Sequence, residues 1–177
     1  MQEVIEKLPA VSNRYLTSAT NMEEIPAFTG VRKPVKLNYL TDTESNSRVQ
    51  TFIVHSESKD KLHTLYKLLC TLGGGQAIVF CNHRESVERV GGYLREQKLA
   101  HEAYHGGMEQ EIRERALYKF RNGSSNVLIS TDLAARGLDI PEVQHIIHYH
   151  LPSGEDAYIH RTGRTARWNA EGSSYLI

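Results

Sequence analysis

From position 49 onward the chain alternates between two hydrophobic periods. Val49–His55 reads as a strand. In Ser58–Leu72 the leucines at 62, 65, 69 and 72 recur at helical spacing and share a face, and Gly73-Gly74-Gly75 stops that helix. Ala77–Cys81 is an unbroken apolar run, as expected of a strand buried on both faces. Asn82 stands where an N-cap would, with Glu85 at the capping-box position, and Val87, Val90 and Leu94 stripe the helix that follows. Ala103–His105 reads as a strand and Glu109–Arg121 as a helix with Ile112, Ala116 and Phe120 aligned, closed by Gly123. Val127–Ser130 and Val143–Tyr149 are further strands, a short helix covers Glu155–Arg161, and Ser173–Ile177 begins a last strand. Apolar strands alternating with helices predict an open α/β parallel sheet with helices on both faces.

Upstream, Arg14–Ala19 and Val35–Leu40 read as two more strands. Thr41–Ser47 is a run of short polar residues that cannot anchor a core and reads as a linker. The 130 residues from 48 to 177 are enough for a core of their own, whereas 1–40 are too few to be stable alone.

Composition narrows the partners. Lys plus Arg equals Asp plus Glu at 21 each, so a generally basic coat is absent and any polyanion site must be a local patch. Met1-Gln2-Glu3 opens no signal peptide, no run is apolar enough to span a bilayer, and two cysteines make no disulfide framework. A reducing, cytoplasmic setting is the expectation. No G-x-x-x-x-G-K-[ST] loop occurs, so the chain cannot hold a complete nucleoside triphosphate site.

In open parallel sheets ligands sit beyond the carboxyl ends of the strands. There the sequence places Asn82-His83-Arg84-Glu85, Gly106-Gly107, Thr131-Asp132 and the segment from His160 to Arg167. Arg161, Arg164 and Arg167 are three apart and would share a helical face. Their forks suit phosphate oxygens, or they form a solvated face with ion pairs to Glu155 and Asp156. Gln110 and Arg113, one turn apart at a helix start, suit phosphate or are a surface polar pair. Ser130-Thr131-Asp132 could orient a backbone phosphate or cap a helix; Asp139 could meet a ribose or hold a turn. His148 and His150 would share a strand face and could bind a metal, but ordinary strand histidines are the favoured reading. Cys81 reads as a small buried hydrophobe, and no metal site is expected.

Five motifs in order give the chain a family likeness. Ser18-Ala19-Thr20, Ile78-Val79-Phe80, Gln110-x-x-Arg113, the run Thr131-Asp132-Leu133-Ala134-Ala135-Arg136-Gly137-Leu138-Asp139-Ile140-Pro141, and His160-Arg161-Thr162-Gly163-Arg164-Thr165-Ala166-Arg167 resemble the motifs of DEAD-box ATP-dependent RNA helicases. The likeness covers essentially the whole chain and implies the second RecA-like lobe, of P-loop NTPase type, at 48–177 and truncated at its C-terminal end. A remnant of the first lobe would occupy 1–40, and the inter-lobe linker 41–47. It implies ATP with Mg²⁺ as cofactor, held mainly by the first lobe. Arg164, as the arginine finger, and Arg167 would reach the γ-phosphate, with His160 in the network beside them. Asp139 and the backbone near Gly137 would contact the ribose. Thr131, Asp132, Gln110, Arg113, Gly106, Asn82, Arg84 and Glu85 would hold the backbone of single-stranded or duplex RNA without reading its sequence. Ser18, Thr20, Arg136 and Arg161 would couple the lobes. One departure stands out: the family usually has Asn-Tyr-Asp before Leu-Pro, and this chain has His148-Tyr149-His150.

Two other function classes compete with half of a helicase: a stand-alone RNA- or protein-binding module, and a lobe of a DNA helicase or translocase. His160 favours the RNA branch over the DNA branch, which usually carries Gln there. The full-length enzyme is expected to be a monomer, partnered by its own first lobe and RNA and by no membrane. This chain is expected to self-associate through the strands at 14–19 and 35–40, whose backbone groups lack their neighbours. Sedimentation beside a version starting near Ser47 checks this: the longer chain should be the heavier than its monomer mass, and equal monomer masses would refute it.

Overall fold

The continuous apolar runs become the centre of a sheet. In the computed structural model the described residues are 3, 5, 7, 11, 13–17, 25–31, 33–37, 48–135, 140, 142–166 and 171–177. They fall into two units, Met1–Asp42 and Thr43–Ile177. The second unit contains β1 (Val49–Ile53), α1 (Leu62–Leu72), β2 (Ala77–Cys81), α2 (Arg84–Glu96), β3 (Glu102–Tyr104) and α3 (Gln110–Arg121). It continues with β4 (Val127–Thr131), α4 (Asp132–Ala135), β5 (His145–His148), α5 (Glu155–Thr162) and β6 (Gly172–Leu176).

All six strands are parallel, in the order β1-β6-β5-β2-β4-β3. Every residue of β2 is buried because both faces are covered. Ala77, Val79 and Cys81 pack with Ile129 and Ile147 under α1 and α2, through Leu65, Leu69, Val87, Val90 and Leu94. Ile78 and Phe80 pack on the opposite face with Leu128, Ile146 and the α3 residues Leu117 and Phe120. This is the open parallel sheet, covered on both faces, that the alternation of strands and helices implied. No helix among the described residues is long and apolar enough to cross a membrane.

Several boundaries differ from the sequence expectation, each for a local reason. α1 begins at Leu62 rather than Ser58, because short polar side chains tie the preceding turn. Ser58 Oγ accepts from the Asp60 N–H at 3.2 Å, and Asp60 Oδ1 accepts from the Leu62 N–H at 3.2 Å. α2 begins at Arg84 behind an extended His83, and no side chain caps it; Asn82 and Glu85 form no capping box, since both have other partners. β5 is shorter than Val143–Tyr149, because the Val143 N–H donates to the Arg164 carbonyl at 3.1 Å instead of to a neighbouring strand. In the first unit, Arg14–Thr17 and Val35–Leu37 are not strands, as neither has a ladder partner among the described residues. Residues 18–19 and 38–47, which include the rest of those two segments and the linker reading, lie outside the described residues.

α2 and α3 end alike but with different residues. After α3 the left-handed position is Gly123, φ +75°; after α2 it is Lys98, φ +57°. There the Lys98 and Leu99 N–H groups close onto the carbonyls of Arg95 and Leu94 at 3.0 and 2.9 Å. A side chain in this conformation is strained, and glycine relieves it. Lys98→Gly is therefore expected to stabilise the fold by about 1 kcal/mol, read as a higher urea midpoint at unchanged slope.

Candidate functional site

β4 inserts between β2 and β3, and the chain then crosses to the far side of β2 to form β5 and β6. The carboxyl ends of β4, β2 and β5 thus flank the point where the strand order reverses, the usual ligand crevice of such sheets. Polar residues from all three strand ends meet there on one side chain, Arg161 of α5.

Arg161 is 1 % exposed, among the largest fully buried side chains of the molecule. Each of its five N–H groups has an acceptor. Nε and Nη2 grip the Asp132 carboxylate bidentately, at 2.5 and 2.7 Å. The second Nη2 hydrogen reaches Asn82 Oδ1 at 3.0 Å. Nη1 donates to the His150 carbonyl at 2.7 Å and faces His148 Nδ1 at 3.3 Å. The guanidinium also lies 5.2 Å from the centroid of the Phe80 ring. Asp132 follows β4, Asn82 follows β2, and the histidines end β5, so one cation ties three central strands.

The neighbours of this clasp respond to its charge. Burial, reinforced by the Arg161 charge, pushes His148 down to about 4. An arginine is always a donor, so the His148 nitrogen facing it must be an acceptor; the proton sits on Nε2, 3.0 Å from Ser174 Oγ. His150 is also lowered, by burial first and then by Lys61, His83 and Arg161, and its Nδ1 accepts from the Asn82 N–H at 3.2 Å. Burial pushes the Cys81 thiol up to about 12, which agrees with its reading as an inert core residue. Both histidines are committed to protein partners, and among the described residues no cluster suits a metal ion.

Arg164 lies just past the end of α5, and one Nη2 hydrogen donates to the Ala135 carbonyl at 2.9 Å. With Phe80, Asp132, Ala135, His160 and Arg161 it lines a shallow cleft at the strand ends. The expectation that Arg161 and Arg164 share a helical face does not hold, because α5 stops at Thr162 and Arg161 turns into the body. Its partner is Asp132, not Glu155 or Asp156. Two residues on, Ala166 is left-handed, φ +53°.

A second group surrounds the ends of β3 and the start of α3. Arg113 Nη2 donates to Gln110 Oε1 at 2.5 Å, and Gln110 Nε2 donates to Glu114 Oε1 at 2.7 Å, so the predicted pair is a direct contact. The buried Arg113 Nε has no hydrogen-bond partner. Gly106 faces open space, while Gly107 packs against the buried His105 ring, whose Nδ1 accepts the Gly107 N–H at 3.2 Å. His105 Nε2 lies 3.2 Å from Glu88. Arg84 and Glu85 pair with each other at 2.8 Å on the surface, which raises the first and lowers the second. Thr131 ends β4 and is half-buried.

Sequence reasoning missed Ser174 and His105, and it named His148 without its Arg161 and Ser174 partners. The available signal was a lone histidine closing the apolar run Ile146-Ile147, which demands a buried partner. Ser18, Thr20, Arg136, Gly137, Asp139 and Arg167 lie outside the described residues.

Comparison with known proteins gives this geometry a family. The helicase conserved C-terminal domain matches residues 60–169. The ATP-dependent RNA helicase eIF4A of Mycosarcoma maydis is 39% identical over 175 residues, 97% of this chain and 43% of that relative. The structure of S. cerevisiae Dbp5 bound to RNA and ADP BeF3 is 31% identical, with TM-score 0.65, over 72% of this chain and 34% of that one. A DEAD box protein from the hyperthermophile Methanococcus jannaschii is 28% identical, with TM-score 0.69, over 76% of this chain and 37% of that one. The chain belongs to the helicase C-terminal domain family, and within it is a C-terminal lobe of the DEAD-box kind. It spans less than half the length of the curated relative.

Removing Arg161 empties a fully buried site and leaves the half-buried Asp132 carboxylate unpaired. Arg161→Ala is expected to cost about 3–5 kcal/mol of stability by chemical denaturation, whereas Arg84→Ala, which breaks only a surface pair, should leave the unfolding midpoint where it is.

Proposed function

We propose that this chain is the second lobe of an ATP-dependent RNA helicase, with residues 1–40 from the first lobe and 41–47 as the link. The observation that carries the reading is the cleft at the strand ends, where His160 and Arg164 stand beside the clasped Asp132. The similar Dbp5 structure holds RNA and ADP BeF3, and the similar eIF4A is an ATP-dependent RNA helicase.

In this reading Arg164 and Arg167 neutralise charge on the γ-phosphoryl group of ATP, Arg164 as the finger, with His160 beside them. Arg164 is anchored to the Ala135 carbonyl at the end of α4 and so waits at the cleft mouth in a set direction. Asp139 and Gly137 serve the ribose. Mg²⁺ and the phosphate-binding glycine loop come with a segment that this sequence does not contain. RNA lies across the strand ends, on Asn82, Arg84, Glu85, Gly106, Gln110, Arg113, Thr131 and Asp132. Their contacts are to phosphate and sugar, and so independent of base sequence. Asn82 and Asp132 accept from Arg161, and Asn82 is exposed and Asp132 partly so. Ser18, Thr20, Arg136 and Arg161 link nucleotide state to RNA grip, and the working compartment is the cytoplasm.

The decisive test uses the full-length enzyme. Arg164→Ala should lower RNA-stimulated ATP turnover by roughly 10³-fold or more while sparing most of the RNA affinity. Arg164→Lys should not restore it, because an ammonium lacks the planar fork. Near-normal turnover in the lysine variant would reject the finger.

A further inference from the structure

Two histidines meet the Arg161 clasp, and both do so as acceptors through the same ring nitrogen. His148, fully buried in β5, presents Nδ1 to Arg161 Nη1 at 3.3 Å while Nε2 reaches Ser174 Oγ of β6 at 3.0 Å. His150 accepts the Asn82 N–H on Nδ1 at 3.2 Å and the Arg161 Nη1 hydrogen on its carbonyl at 2.7 Å. Asn82 then offers Oδ1 to Arg161 Nη2 at 3.0 Å. On the β2 and β5 side, then, one arm of the clasp ends on the His148 lone pair, and the backbone of Asn82, which carries another arm, is held by the His150 lone pair.

We propose that His148 and His150 are positioning residues: as neutral Nε2–H imidazoles they hold Arg161, and through it Asn82 and Asp132, in register, and a proton on either Nδ1 releases the rim. A proton there sets N–H against N–H with no acceptor between them. Burial, ahead of the charges around each ring, fixes the order of release. His150 faces Lys61 before α1, His83 before α2, Arg161 of α5 and the edge of the Tyr149 ring, with no carboxylate among the groups that shift it. His148 faces Arg161, Asp132 of α4, Ser174, and the stacked rings of Tyr158 and Phe80, at 5.4 and 6.5 Å. Burial holds His148 near 4, so its arm survives mild acid, and the partly exposed His150 yields first. Both values lie below that of an unfolded histidine, about 6.5. The unfolded chain thus binds more protons between the folded values and 6.5, and stability contributed by these groups is lost as pH falls through that window. The importance of the rim for RNA rests on the function proposed above; the proton dependence of the clasp does not.

The test exploits a covalent coincidence. Asn carries Oδ1 on Cγ, where His carries Nδ1, and does not titrate; Gln carries its oxygen one atom further out, in place of Nε2. Nitrogen-15 spectra of this 177-residue chain should show both histidines as Nε2–H tautomers at neutral pH. The Arg161 Nε–H should exchange with solvent at least about tenfold more slowly than that of Arg84. Acidification toward about pH 4, the value to which His148 is held, should abolish that protection in the parent and spare it in His148→Asn/His150→Asn. At neutral pH His148→Gln should lose protection about tenfold, and Ser174→Ala, a milder change that frees Nε2, should mix the tautomers of His148. An Nδ1–H tautomer in either histidine at neutral pH, or equal acid sensitivity in parent and double variant, overturns the proposal. Affinity for a single-stranded RNA separates the two layers. Weaker binding in His148→Gln than in His148→Asn supports both; equal affinity, with protection changed as expected, keeps the positioning role and rejects the rim as an RNA contact.

Discussion

A single buried guanidinium sets the geometry of the functional end of this lobe. Moving one charge out of water is strongly unfavourable unless it is paired and every donor is met. Here one carboxylate, two side-chain acceptors and one carbonyl meet all five hydrogens of Arg161, and they come from the ends of three different strands. No partial version of this arrangement is comfortable. If β5 slid relative to β2, the His148 and Asn82 acceptors would leave together. The strand register Phe80↔His148 and Cys81↔Thr131 and the polar clasp above it thus enforce one another. The same interaction withdraws Arg161 from solvent into the wall of the cleft that Arg164 and His160 also line.

The fold was legible in the sequence because strands covered on both faces write themselves as unbroken apolar runs. β2 came out with its observed bounds, and β4 differs by one residue. Periodicity reports local phase, and it failed where a tertiary partner outbid a local one. Asn82 looked like a cap, but a buried cation across the sheet is a better use for its oxygen. The three arginines looked like one face because spacing assumes that the helix continues, and α5 ends before Arg164. The upstream strands needed partners that no local pattern could supply. At the site, the pair Gln110–Arg113 was visible because three residues along a helix is a contact distance. The pair His148–Ser174, 26 positions apart, was not.

The histidines that replace the family's usual Asn and Asp then have a chemical logic. All three side chains can carry an acceptor on an atom bonded to Cγ, and at that radius Arg161 meets one at position 148 and the Asn82 N–H meets one at position 150. Imidazole meets the requirement and brings a titration with it. The substitution retains the geometry while changing what the geometry depends on. The Asp-to-His exchange also leaves Asp132 as the carboxylate that directly grips Arg161.

The two thiols of the second unit keep time for its opening. Cys70 is exposed on α1, whereas Cys81 ends β2, sealed beneath both helices and next to Asn82. A thiol reagent labels the first at the speed of the reagent and the second only at the frequency with which the central strand is uncovered. Once Cys70 is blocked, the slow labelling that remains is a stopwatch on the innermost strand of the sheet, set by nature rather than by an added dye.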